Sequence, residues 1–192
     1  MIWASPPCTE YSTARVKAST PRDFIGAGQL VQQAIQIIEY AQPTFWLIEN
    51  PRGGMLRRRP AVSMLPPPKK VSYCRYGAPY QKNTAIWTNA SIKFEFCQWD
   101  CIATFVGEQG RKRHQGTALR GPGKYGTQGY PLSMLHSIPT LLCRHICHYV
   151  DNYINGENQG DIRGTQLPRS RAPEESAEEH GESHSRRSKL IN

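Results

Sequence analysis

The chain has 192 residues, 38% of them hydrophobic, and a mean hydropathy of −0.59. That allows one domain with a core and some remainder, and no apolar run approaches the roughly 20 residues that cross a bilayer, which excludes a transmembrane helix. The net charge of +9 is uneven: from residue 151 onward 6 basic face 8 acidic residues, leaving 18 basic against 7 acidic and a net +11 over residues 1–150. A basic folded part points to a polyanionic partner, usually nucleic acid, although basic surfaces also occur without one. The first 18 residues lack the basic-then-apolar layout of a secretory signal. The six cysteines are therefore expected as free thiols or metal ligands of an intracellular chain, not as a disulfide framework.

In chain order, the apolar run Met1-Ile-Trp-Ala-Ser5, stopped by Pro6-Pro7, reads as a buried strand ending in a loop. After loop residues as far as Pro21-Arg22-Asp23, Ala27, Leu30, Val31, Ala34, Ile35, Ile38 and Ala41 recur at three- and four-residue steps before Pro43. That spacing predicts an amphipathic helix of about four turns. Phe45-Trp46-Leu47-Ile48 is a second buried strand, ended by Glu49-Asn50-Pro51. Strand, helix and strand make a βαβ unit with parallel strands and a right-handed crossover. Further on, Gly53-Gly54 and Pro66-Pro67-Pro68 mark loops, and residues 71–76 and 84–88 read as strands around a Gly77-Ala78-Pro79 turn. Residues 111–129, rich in Gly, Lys and Arg, read as a basic loop. Leu132–His136 and residues 141–153 read as helices on either side of Pro139. From about residue 155 the composition turns to Ser, Glu, Arg and His, that of a disordered tail.

In a βαβ unit both parallel strands end on the same edge of the sheet, where open α/β sheets bind ligands. Cys8, just past the first strand, and Glu49, closing the second, are thereby brought to one crevice. Cysteine is the best side-chain nucleophile, but only as the thiolate. A Pro-Pro-Cys turn holds the sulfur, and Arg15 or Lys17 nearby would lower its pKa. Glu49 would serve as proton donor or hydrogen-bond partner. From spacing alone the plainer alternative stands beside this: a small buried cysteine and a carboxylate that only caps a turn.

The motifs in these positions resemble a family. Ser5-Pro6-Pro7-Cys8-Thr9-Glu10-Tyr11-Ser12 is similar to the Pro-Cys nucleophile motif of DNA cytosine-5 methyltransferases, and Ile48-Glu49-Asn50-Pro51 to their Glu-Asn motif. The segment from Tyr76-Gly77-Ala78-Pro79-Tyr80-Gln81-Lys82-Asn83-Thr84 to Ala85-Ile86-Trp87-Thr88-Asn89 resembles their Gly-x-Pro-Gln-x-Arg-x-Arg segment. The variant is closest to the compact phage- and virus-type branch, over about residues 1–145. The resemblance implies an α/β, Rossmann-like methyltransferase fold. It also implies methyl transfer from S-adenosylmethionine to C5 of cytosine in DNA, with Cys8 as nucleophile, Glu49 as activating acid and Asn50 positioning the turn. Pro7, Arg15, Lys82 and Thr84 would face the DNA substrate, whose target base must leave the helix. Where relatives carry a second arginine this chain has Thr84, which offers no guanidinium fork.

The family's opening strand and Phe-x-Gly-x-Gly turn have no counterpart here, and Gly26-Ala27-Gly28 follows a loop instead of a strand. The chain is therefore expected to be an N-terminally truncated form lacking most of the cofactor site, with a second chain as one way to supply that lobe. Two alternatives stay open: an inactive remnant of the family, or a basic nucleic-acid-binding module stapled by zinc. The expected division is a catalytic α/β part over 1–90, a small irregular basic region with the C-terminal helices over 91–154, and the tail over 155–192.

A second constellation lies after the expected hairpin. Cys97-x-x-x-Cys101, with Cys74 before it and His114 after it, supplies the three thiols and one imidazole of a tetrahedral zinc site in a loop-rich region. Cys143-x-x-x-Cys147 with His148 is a rival set, read more simply as two small buried residues on a helix. Arg111-Lys112-Arg113, with Arg120 and Lys124, and Arg57-Arg58-Arg59 are candidates for DNA phosphates.

Overall fold

The computed structural model describes residues 1–13, 15, 18–116, 118 and 129–157. Two strands, β1 (Ile2–Ala4) and β2 (Trp46–Pro51), run parallel, with Ala4 opposite Ile48. Between them lies helix α1 (Phe24–Ala41). The expected βαβ unit is present, and its helix is longer at the start than the apolar repeat alone indicated. The reason is local: the Asp23 carboxylate accepts the Gly26 amide at 2.8 Å and caps the first turn. At the other end Gln42 takes a left-handed conformation (φ 42°) just before Pro43, which cannot continue a helix.

Strands β3 (Lys69–Ser72) and β4 (Asn83–Thr88) complete a four-stranded sheet in the order β1-β2-β4-β3. β4 is antiparallel to both neighbours, with Ile48 opposite Trp87 and Val71 opposite Thr84. The sheet is covered on both sides. On one face Val31 and Ile38 of α1 pack with Trp46, Ile48 and Trp87. On the other, Leu142 and Ile146 of helix α3 (Thr140–Ile154) pack with Phe45, Leu47, Val71 and Ile86. This two-sided burial explains why β2 reads as a continuous apolar run instead of an alternating one. Each fully buried Val, Leu or Ile contributes roughly 1.5–3 kcal/mol, so the central strands are the best-anchored part of the chain.

Two expectations are corrected. Residues 71–76 do not form one strand: β3 stops at Ser72, and Tyr73–Tyr76 coil into a 3₁₀ turn. The Ala78 amide bonds back to the Tyr73 carbonyl at 3.1 Å, and Gly77 stands at φ 85°, where a side chain would be strained. The segment from residue 111 is not wholly loop either. Strand β6 (Lys112–His114) pairs antiparallel with β5 (Thr104–Val106), Thr104 opposite His114. The β-prone Thr-Phe-Val run is the partner that a reading of the basic residues alone overlooked. Helix α2 (Leu132–His136) is where it was expected. Among the described residues no helix is long and apolar enough to cross a membrane. The expected tail lies outside the described residues from 158 onward.

Candidate active site

The site is assembled where β1 and β2 end side by side. Past the Ala4–Ile48 pair the two chains reach Pro6 and Asn50, and the Asn50 Nδ2 donates to the Pro6 carbonyl at 3.0 Å. Asn50 is buried, so this bond ties the two strand ends in a place that water does not reach. The chain then closes a single 3₁₀ turn over Thr9–Tyr11, the Tyr11 amide bonding the Cys8 carbonyl at 3.0 Å. The loop after β2 leans on that turn, the Met55 amide donating to the Tyr11 carbonyl at 2.9 Å. A Cβ on Gly54 would lie only 3.1 Å from the Pro51 carbonyl and 3.3 Å from that of Tyr11, so a glycine fits the crossing closely.

Cys8 is half-buried and its thiol is free. Burial pushes its pKa above the ordinary thiol range, the negative charge of Glu49 pushes it further, and the ammonium of Lys82 pulls it down. Among the described residues the cation that acts on the sulfur is thus Lys82. Arg15 was the cation expected there, but it is engaged elsewhere: it pairs with Glu10 and donates to the Thr20 hydroxyl at 2.6 Å and the Pro21 carbonyl at 3.1 Å. Lys17 lies outside the described residues. Lys82 is held by the Leu135 carbonyl at 2.9 Å, 4.6 Å from the centre of the Tyr73 ring.

Glu49 is buried, and one of its oxygens accepts the Tyr73 hydroxyl at 3.1 Å. Burial and the Glu49 charge push the Tyr73 phenol far up, so it stays a donor. Tyr73 is the site residue that sequence reasoning missed. Alternation along β3 puts it on the face of Val71, but only the sheet order shows that the phenol crosses β4 to reach Glu49. A cavity of about 580 Å³ opens beside Cys8, lined also by Arg15, Gln81, Lys82, Asn83 and His136.

The other candidates divide. Thr84 is fully buried in the sheet, so its hydroxyl is not available for the DNA contact expected of it. Pro7 is exposed beside Cys8, and Arg111 and Lys112 are exposed on the β5–β6 ribbon while Arg113 is half-buried there. Arg57 and Arg58 are exposed, whereas Arg59 lies 3.6 Å from the centre of the Phe24 ring and is committed to packing. Arg120 and Lys124 lie outside the described residues. Cys74, Cys97, Cys101 and His114 come together, with their ligating atoms all within 4.8 Å of one another. Cys143 and Cys147 are exposed on α3, not buried as expected, and form no such group with His148 among the described residues.

In class, this is a mixed α/β protein that presents a thiol, a carboxyl group and a carboxamide at the shared end of two parallel strands. No family model matches the chain. Over 100 residues it is 33% identical to a protein of Frog virus 3 (isolate Goorha) named "Probable DNA (cytosine-5)-methyltransferase". The aligned part makes up 46% of this chain and 45% of that relative, so the chain spans about half of the relative's length.

Proposed function

We propose that the chain carries the base-activating machinery of a DNA (cytosine-5) methyltransferase. The observation that carries this reading is the junction of Cys8, Glu49 and Asn50 at the ends of β1 and β2, joined to the likeness to the viral relative. The parallel β1-α1-β2 unit, covered by α1 on one face and α3 on the other, suits a Rossmann-like methyltransferase sheet.

Cytosine C5 is a weak nucleophile until the aromatic ring is broken. In the proposed reaction the Cys8 sulfur bonds to C6, the C5–C6 π pair shifts to C4–C5, and the C4–N3 pair takes up a proton at N3 from Glu49. C5 is then the carbon of an enamine and attacks an electrophile; loss of the C5 proton expels the thiolate and restores the ring. The Tyr73 hydroxyl occupies one oxygen of Glu49 and leaves the other for the base. The target base leaves the duplex to reach Cys8 and Glu49 at the strand ends beside the cavity, and the exposed Arg111 and Lys112 serve the phosphates.

The methyl donor that such a reaction uses is S-adenosylmethionine, a sulfonium cation. Among the described residues the cavity beside Cys8 is lined with Arg15, Lys82 and His136 and with no carboxylate. These residues fit a base and its phosphate and do not fit the donor, so every step above belongs to base activation.

That half-reaction has its own readout. In deuterated water an enamine takes a deuteron at C5, so the chain should exchange the C5 hydrogen of cytosine in duplex DNA with no donor present. Cys8→Ser should abolish the exchange while leaving the circular-dichroism spectrum unchanged. A folded wild-type chain that gives no exchange, or exchange that survives Cys8→Ser, overturns the reading.

A further inference from the structure

We propose that Cys74, Cys97, Cys101 and His114 hold one zinc ion, which staples the β5–β6 ribbon to the sheet. The proposal does not depend on the cytosine chemistry, since none of the four residues lines the cavity beside Cys8.

Geometry is the first argument. A tetrahedral zinc with sulfur at about 2.3 Å and nitrogen at about 2.0–2.1 Å sets its ligands about 3.5–3.8 Å from one another. Cys97 Sγ lies 3.4 Å from His114 Nε2, and all four ligating atoms fall within 4.8 Å, so small side-chain adjustments close the site. The donors come from four places in the chain. Cys74 is in the 3₁₀ turn after β3, Cys97 follows β4, Cys101 precedes β5, and His114 ends β6. Local sequence effects do not bring four such groups to one point by themselves.

The backbone between Cys97 and Cys101, the two thiols nearest in sequence, gives the second argument. Trp99, between Cys97 and Cys101, stands at φ 67°, a left-handed conformation that a non-glycine residue rarely adopts. The Gln98 amide bonds the Asp100 carboxylate at 2.9 Å and braces this turn, and the Trp99 ring packs on the His114 ring at 4.9 Å between centres. The turn brings the two sulfurs together at the imidazole, and the Thr104 hydroxyl lies 3.3 Å from Cys101 Sγ, placed to orient that ligand.

Packing supplies the third. β5 and β6 are three residues each, and an isolated two-stranded hairpin is marginal in water. The cluster under this ribbon consists of three cysteines and Ala103, while Ile102 and Val106 face solvent. A core that small does not hold a ribbon, and a metal bond does. Three thiols with an imidazole in tetrahedral array select zinc over the hard, oxygen-loving cations.

The test uses the full chain, purified without chelator. Elemental analysis should find one zinc per chain, and cobalt(II) added to the stripped protein should give the intense visible bands of tetrahedral thiolate coordination. Cys97→Ser with His114→Asn should lose both, while Cys143→Ser keeps both. Because the double variant can unfold the ribbon, the cobalt spectrum of the wild-type chain stands as an independent readout. Three results overturn the proposal: a wild-type chain that takes up no metal, zinc that persists in the double variant, or an intact mass two hydrogens low with a disulfide among Cys74, Cys97 and Cys101.

Discussion

Two clusters of chemistry, one at the edge of the four-stranded sheet and one between that sheet and the β5–β6 ribbon, are held in opposite ways. Glu49 and Asn50 lie at the end of β2, which is buried on both faces with Trp46, Leu47 and Ile48 almost wholly removed from water, and Cys8 follows β1, an edge strand that is only half-buried and not buried as expected. Cys74, Cys97, Cys101 and His114 lie beneath a short ribbon whose neighbours Ile102 and Val106 are largely exposed. The first cluster is positioned by packing and needs nothing bound to keep its shape. The second has too little apolar area to position anything, and its order rests on the bonds its own side chains make. A reactive group benefits from the first arrangement, because preorganisation is already built into the fold. A remote, solvent-washed ribbon can be fixed only by the second.

The largest effect that would sharpen this contrast is on stability. Ile48→Ala removes a fully buried side chain from the central strand and should cost about 2–5 kcal/mol in urea denaturation. Ile102→Ala, in the ribbon and 95% exposed, should stay within about 0.5 kcal/mol of wild type. Equal losses at the two positions would show that the ribbon has a core of its own.

Next in size is Tyr73→Phe. It leaves the ring in place and removes the hydroxyl that bonds Glu49. A hydrogen bond to a charged group is worth roughly 1.5–3 kcal/mol, so C5 exchange should slow by roughly tenfold or more, with the loss in the maximal rate and not in DNA affinity. Unchanged exchange would remove Tyr73 from the site as a positioning residue.

A smaller shift is expected in the pH dependence of Cys8 alkylation by iodoacetamide, followed residue by residue with mass spectrometry. Only the thiolate reacts, and burial and Glu49 hold the thiol up, so the midpoint should lie above that of an ordinary cysteine. Glu49→Gln removes a negative charge and should bring the midpoint down; Lys82→Met removes a positive one and should raise it. Shifts in the opposite sense would mean that neither group acts on the sulfur. The smallest effect is at the ribbon surface. Lys112→Ala should weaken duplex DNA binding uniformly across sequences and lower the salt slope by about one. No change in that slope would take Lys112 off the phosphate path.

Much of the Cys8–Glu49–Asn50 cluster was legible before folding because it depends on short-range rules. An apolar run stopped by Pro6-Pro7, a helical repeat closed by Pro43, and a second apolar run before Glu49 define a βαβ unit. The topology of that unit sends both strand ends to one edge. Of the two cations expected at the sulfur, Arg15 is drawn away for an equally physical reason. Arg15 is near Cys8 in sequence but has closer acceptors in Glu10, Thr20 and Pro21, whereas the positive charge of Lys82, more than seventy residues away, is the one that bears on the sulfur among the described residues. Thr84 was read from its place in a motif, and motif position carries no information about which way a strand residue faces.

By itself the sequence determined the parallel unit, the pairing of a thiol with a carboxylate, and the identity of three cysteines and a histidine able to share a metal. These follow from residue type, apolar period and the few connections a short chain allows. Tertiary structure alone decided the sheet order, which inserts β4 between β2 and β3 and lets Tyr73 reach Glu49. It alone also decided the ending of β3 in a 3₁₀ turn and the pairing of Lys-Arg-His with Thr-Phe-Val. Each of these depends on contacts between segments far apart in the chain. Such contacts are chosen by which surfaces can be buried together, and no local pattern records that choice.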